Sequence, residues 1–276
     1  MNNKYFTLAT LILLLINTYF VYGQSEEYYP KGDPDEWNVE LTPFLWLPAI
    51  SGELRSEQLS QDFDIPAVDL ISNLKMAFMI TAEVSKGKFF AAPTWVYTKL
   101  GADNVLWSDG ENDLEIKPDM KMNILELIAG ARFRVNKYFI IDPFAGFRYS
   151  NYNIYGSIEG LNTHSFDEDV DYWDPVIGVQ MSYYPHPRVP IQLKTDIGGF
   201  GAGSQFSWTV SINSGYTISP SIDLIAGFAA YGADYEKEIV MNNSIGLDMT
   251  MYGFDLGMKY HIPKRNKNKS VFKNKE

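Results

Sequence analysis

The chain contains no cysteine. No disulfide can staple it, and no thiolate is available as nucleophile or metal ligand. Histidine is scarce, with three in 276 residues. His164 falls in a long connecting stretch, His186 in a short turn and His261 at the end of the last strand-like segment. Three such positions do not converge on one metal. Basic charge is also short, with 23 Lys and Arg against 34 Asp and Glu, a formal net charge of −11. That balance argues against nucleic-acid binding. Beyond the first 22 residues, no stretch approaches the ~18–20 consecutive apolar residues of a transmembrane helix. This excludes a later membrane helix and leaves a strand barrel open, because a barrel strand needs only about 9–11 residues with alternate apolar positions.

The one long apolar run lies at the start. Lys4 precedes "LATLILLLI", and Val21 and Gly23 are small enough for a signal-peptidase site. Residues 1–23 read as a cleaved secretory signal, and its removal takes Lys4 and leaves a net charge of −12. A strap over 24–35, a barrel over 36–263 and a basic disordered tail over 264–276 complete the expected organisation.

What the chain has in abundance is alternation. In Phe206-Ser207-Trp208-Thr209-Val210-Ser211-Ile212-Asn213 every even position is large and apolar and every odd one small and polar. A period of two is a strand with one apolar and one polar face. Tyr252, Phe254, Leu256, Met258 and Tyr260 alternate in the same way with Gly253, Asp255, Gly257 and Lys259. Ten such segments follow, near 36–50, 76–87, 88–101, 118–135, 138–152, 172–185, 189–202, 205–218, 221–235 and 247–262. Short connections largely alternate with long ones at 51–75, 102–117, 153–171 and 236–246, the asymmetry of an outer-membrane barrel. The expected fold is all-β, an antiparallel up-and-down transmembrane β-barrel of about ten strands.

The polar faces carry Glu40, Glu83, Lys99, Glu126, Arg132, Arg148, Gln180, Lys194, Asp196, Asp255 and Lys259. A soluble sandwich cannot bury so many charges without a large desolvation cost. A barrel in lipid turns its apolar face outward and these groups into the lumen. Ten strands lie near the roughly eight-stranded size at which side chains fill the interior, so balanced charges there read as an ion-paired filling. Aromatics near the strand ends, among them Phe44, Trp46, Tyr138, Tyr172, Trp173, Tyr183, Phe206, Trp208 and Tyr260, read as interfacial girdles.

"GGFGAGS" at 198–204 resembles a phosphate-binding loop but lacks its Lys, since Gly203 is followed directly by Ser204. The dinucleotide fingerprint fails as well, and no helix follows to supply a dipole. Gly198, Gly199, Gly201 and Gly203 are expected to bend and turn a strand at the outer rim.

The stretches "TPFLWLPAISGEL", "YWDPVIGVQMSYY", "DIGGFGAGSQFSW", "LIAGFAAYGADYE" and "MYGFDLGMKYHI" resemble bacterial outer-membrane β-barrels, the Trp-Asp-Pro and Gly-Gly-Phe-Gly-x-Gly-Ser pieces being the most specific. The resemblance implies a monomeric barrel in the outer membrane of a Gram-negative bacterium. It brings no established activity, and no catalytic residue is carried over. One departure is the basic tail that follows Tyr260-His261-Ile262, where such barrels usually end.

The remaining motifs are weak. Asp167-Glu168-Asp169-Val170-Asp171 opens like a calcium loop, but Tyr172 stands at the required Gly and Gly178 at the bidentate acid. It reads as a solvated acidic loop. His164-Ser165 beside it is the one candidate base and nucleophile pair. Asp69 to Leu74 reads as one or two helical turns over the barrel mouth, with Leu70 and Leu74 on one face. The functional expectation is a structural or surface-interaction role, without catalysis, cofactor or metal. The expected partners are outer-membrane lipid, lipopolysaccharide and the barrel-insertion machinery. A narrow channel for small solutes is the alternative, followed by an enzyme acting on lipid or peptide at the rim.

Overall fold

Alternation becomes strand wherever it was evident, and strand continues well past it. The computed structural model describes residues 35–56, 59–101, 105–108, 113–159, 164–239 and 243–262. The expected leader, nearly all of the strap and the tail lie outside the described residues. In chain order the elements are β1 (Asn38–Ser56), β2 (Leu59–Ile65), α1 (Ala67–Ser72), β3 (Leu74–Lys86), β4 (Phe89–Gly101), β5 (Val105–Ser108) and β6 (Asp113–Ala131). Then come β7 (Phe133–Arg134), β8 (Phe139–Glu159), β9 (His164–His186), β10 (Val189–Gly199), β11 (Phe206–Ser219), β12 (Ile222–Ile239) and β13 (Asn243–His261).

Ten of these strands close a ring of antiparallel neighbours. The last strand, β13, pairs back onto β1 from Glu40↔His261 to Ser56↔Ile245. Closure satisfies the backbone groups that an open sheet edge would expose to lipid. Three short strands are additions at the ends: β2 pairs β1, β5 pairs β6 and β7 pairs β8. The end that carries Asn38 and His261 also carries the short turns after β3, β9 and β11. By the usual polarity of outer-membrane barrels this is the periplasmic end.

The outer face is the lipid face. Leu125, Leu127, Phe147, Ile177, Ile212, Phe254 and Leu256 are exposed, while Glu126, Arg148 and Asp255, on the opposite face of the same strands, are buried. Phe254 is 71% exposed and its neighbour Asp255 only 8%. That inversion is stable only where the surrounding solvent is hydrocarbon.

Several expected loops are strand. β9 has 23 residues and β8 has 21, roughly twice the ~9–11 that cross a bilayer. Their pairing continues from Asn153↔Asp169 to Ile158↔His164. The acidic run 167–171 is therefore a strand segment and not a loop, although Asn151 Nδ2 donates to Asp169 Oδ1 across the hairpin at 2.6 Å. β12 and β13 likewise continue to Ile239↔Asn243. Above the lipid both faces meet water, so the apolar alternation stops while the hydrogen-bonded ladder goes on. The helical turn after β2 forms as α1. Leu70 and Asp69 donate their backbone N–H to Pro66, and the Ser72 hydroxyl and Asn73 amide donate to the Asp69 carbonyl. Leu74 begins β3 and is not on that helix.

Candidate functional site

The lumen is filled in two tiers of different chemistry. The lower tier, near the termini, is ionic. Glu40 accepts from Lys259 Nζ at 3.1 Å and lies 3.0 Å from His261 Nδ1. His261 Nε2 is 2.8 Å from Asp223 Oδ2, and the Thr217 hydroxyl donates to Asp223 Oδ1 at 2.6 Å. On the neighbouring wall Arg132 Nη2 donates to Glu83 and to Asp142, both at 2.9 Å, and Arg132 Nε reaches Asp142 Oδ2 at 3.0 Å. Glu40 and Glu83 are direct cross-strand partners. Two like charges tolerate that position because each has its own cation on the far side.

At mid-height Arg148, Glu126 and Asp196 are almost fully desolvated, while Lys194 beside them is 20% exposed. Arg148 Nη2 donates to Glu126 Oε2 and to Asp196 Oδ1, both at 2.6 Å, and Lys194 Nζ donates to the other Glu126 oxygen. Side-chain exposure is 3% for Arg148, 7% for Glu126 and 0% for Asp196. Two cations and two carboxylates balance, which such a site requires, because an unpaired charge there carries a heavy desolvation cost. The Arg148 guanidinium also stacks over the Tyr231 ring at 5.3 Å.

Above this belt the lumen turns apolar. Trp46, Ile50, Met79, Val96, Met122, Ile124, Tyr152, Tyr172, Tyr231, Tyr235, Met249 and Met251 form one buried cluster. Tyr172 stacks on Tyr235 at 4.8 Å and its hydroxyl meets that of Tyr231 at 3.3 Å. This tier was not expected. Trp46 and Tyr172 face the lumen and do not belong to the girdles, whereas Tyr138, Trp173, Tyr183, Phe206 and Tyr260 are exposed on the outside. Met249 and Met251 share the parity of Asp255, so the period of two, carried two and three steps further up the strand, pointed to them.

The geometry corrects one lumen charge. On β4 the buried side chains are Phe90, Ala92, Val96 and Thr98. Lys99 has the opposite parity and lies beside Lys121 in register, on the outward face near the strand's outer end. A register shift in the β3 ladder between Leu74 and Met76 marks the irregularity there. Asp255 does face the lumen, but its Oδ2 finds no hydrogen-bond partner among the described residues. Asp142, Asp223 and His261 were missed as network members. Asp142 was legible, since it shares the even parity of Phe144 and Arg148.

The glycine stretch and the Trp-Asp-Pro motif prove to be one unit. Asp174 Oδ1 accepts the Ser204 backbone N–H and Oδ2 accepts the Ser204 hydroxyl, both at 2.7 Å. Both residues have no measurable exposure. Gly199 and Gly201 have φ of 85° and 74°, and Phe200 between them is held at 52°, a left-handed conformation that disfavours side chains. A Cβ at Gly203 would collide with the Trp173 carbonyl and the Asp174 carboxylate. Gly198 pairs with Ser207 one residue before β10 ends at Gly199. The glycines thus fold the turn tightly against β9 at the rim. His164 and Ser165 open β9, but their side chains lie outside the described ones.

The sequence matches no established protein-family profile, and no curated protein matches it. The fold, by contrast, has solved counterparts. The chain is similar to the outer-membrane protease OmpT of Escherichia coli, with a TM-score of 0.51 at 15% identity over 86% of this chain and 100% of that one. It also matches the translocator domain of the autotransporter NalP from Neisseria meningitidis, with a TM-score of 0.41 at 9% identity over 94% and 97%. Ail, the attachment invasion locus protein of Yersinia pestis, aligns with a TM-score of 0.33 at 11% identity over 82% and 99%. At these identities the likeness bears on the fold alone: the chain is built as an outer-membrane β-barrel.

Proposed function

We propose that this barrel works as a closed, monomeric surface protein of a Gram-negative outer membrane, presenting its raised hairpins for interaction and performing no catalysis. The observation that supports this most is the charge-balanced mid-lumen belt of Arg148, Glu126, Lys194 and Asp196, all but Lys194 buried, below an apolar tier. A filled interior gives solutes no aqueous path, and it holds the wall rigid beneath the β8–β9 and β12–β13 hairpins. Lipid, lipopolysaccharide at the rim and the barrel-insertion machinery are the partners this reading implies.

Liposome swelling with the refolded barrel tests it, using glycine and arabinose as small permeants. A closed barrel leaves the swelling rate at that of empty liposomes. Swelling that tracks permeant size would replace this reading with a narrow solute channel. Loss of an envelope activity in both His164→Ala and Ser165→Ala would replace it with an enzyme.

A further inference from the structure

The two ends of the barrel carry opposite charge. Toward the outer end acids crowd the strands, with Asp167, Glu168, Asp169 and Asp171 on β9 and Asp234 and Glu236 on β12. At the periplasmic end three turns, 85–88, 132–138 and 185–188, carry Lys86, Lys88, Arg134, Lys137 and Arg188 and no carboxylate. All five residues are exposed. A chain of net charge −11 thus gathers cations on one side of one end. The turns follow one another around the ring, because β4 pairs β6 and β8 pairs β9. The arc they form is bounded by the uncharged turn 219–221 on one side and by Asp35 and Glu36, next to β1, on the other.

Backbone hydrogen bonds tie these turns sideways. The Arg132 N–H donates to the Lys88 carbonyl at 2.5 Å, and the Tyr184 N–H donates to the Tyr138 carbonyl at 2.8 Å. His186 Nδ1 accepts the Arg188 N–H at 3.2 Å. Successive turns are two strands apart, about 10 Å, so each can meet a separate headgroup. Aromatic rings set the depth of the charges. Lys86 Nζ lies 5.4 Å from the Trp37 ring centre, Lys88 Nζ 5.3 Å from that of Phe89 and Lys137 Nζ 4.8 Å from that of Tyr138. Those three rings are exposed, at 64%, 63% and 45%. Exposed rings at the end of a membrane barrel sit at headgroup level. The ammonium groups beside them therefore stand at the depth of the lipid phosphates.

We infer that this arc is a docking surface for anionic phospholipid of the periplasmic leaflet, held through its phosphodiester headgroup. The ammonium and guanidinium groups pair with phosphate oxygens. The rings pack at the boundary between headgroup and acyl chain. A zwitterionic lipid is disfavoured, because its own cation offsets its phosphate and the arc offers no carboxylate to receive that cation. A soluble phosphate is disfavoured, because it gains nothing from the rings. The inference holds whether or not the lumen conducts.

The test uses the full barrel in phosphatidylcholine vesicles that carry a trace of spin-labelled phosphatidylglycerol or spin-labelled phosphatidylcholine. Electron spin resonance reads the motionally restricted fraction of each label. The wild type should prefer the anionic label by about fivefold, the scale of one basic residue at a charged membrane surface. The preference should shrink as sodium chloride approaches molar concentration, where the Debye length falls to about 3 Å. Joint Lys86→Gln, Lys88→Gln and Lys137→Gln should bring it to about twofold or less. Joint Lys99→Gln and Lys121→Gln, at the outer end, should leave it unchanged. If the triple variant fails to give the heat-modifiable folded band, Lys137→Gln with Arg188→Gln takes its place and should at least halve the preference. A wild type that restricts both labels equally overturns the inference. So does a preference that survives in the folded periplasmic variants or is lost in the outer pair. A preference erased by millimolar glycerol phosphate at constant ionic strength also overturns it and assigns the arc to a soluble phosphate.

Discussion

The two tiers of the lumen solve the same packing problem with opposite chemistry. The lower and middle part is filled by charges that neutralise one another across strands, from Glu40 with Lys259 up to Arg148 with Glu126 and Asp196. The upper part is filled by Met, Tyr and Trp side chains that need no partner of defined charge. The difference lies in what each tolerates. An apolar filling loses stability in proportion to the volume removed and can repack. A desolvated ion network depends on every member, because removing one leaves the others charged and unpaired. The Asp174–Ser204 clasp stands between these extremes as a neutral donor pair on a buried carboxylate.

The largest effect is expected from Arg148→Ala. It leaves Asp196 without its cation and Glu126 with Lys194 alone, and should destabilise the barrel by about 3–5 kcal/mol, read as a lower urea midpoint for the heat-modifiable band. Met251→Ala, in the upper tier with 0% exposure, should cost about 2–3 kcal/mol, the low end for a buried Met, because its apolar neighbours can repack. A loss as large as that of Arg148→Ala would erase the contrast between tiers. Ser204→Ala removes one of two donors to Asp174 and should cost about 1–3 kcal/mol, with faster proteolytic nicking of the β10–β11 turn; unchanged nicking would mean the clasp does not hold the turn. Glu40→Gln, in the wetter lower tier, should cost about 1 kcal/mol. The smallest effect belongs to Phe200→Gly. It relieves a left-handed side chain but adds chain entropy in the unfolded state, so it should change stability by only about 0.5 kcal/mol in either direction.

Legibility in the sequence followed the lipid. Where a strand crosses hydrocarbon, one face must be apolar, and Phe206–Asn213 or Tyr252–Tyr260 announce themselves. Above the lipid no such constraint acts, so the extensions of β8 and β9 beyond Asn153 and before Asp171 read as loop. Glu126, Arg148, Lys194 and Asp196, polar residues in the alternation, contact one another in one ion-paired group, away from the hydrocarbon face where a charge is so costly. Lys99 escaped that logic. It lies at the outer end of β4, where a long cation reaches the interface from the outward face. The apolar upper tier was hidden for a related reason. When both faces of a strand are apolar, as around Trp46, alternation no longer tells inside from outside. The contact between Asp174 and Ser204 was beyond reach, since two motifs thirty residues apart carry no local sign that they touch.

The most direct test of the filled lumen is single-channel recording of the refolded protein in a planar bilayer, after a heat-modifiable shift confirms folding. The account predicts a folded barrel with no steady conductance, both in the wild type and in Met251→Ala, because the Arg148 belt still closes the lumen beneath the enlarged upper tier. Steady ohmic current through the wild type, unchanged by substitution at Arg148 or Glu126, would contradict it.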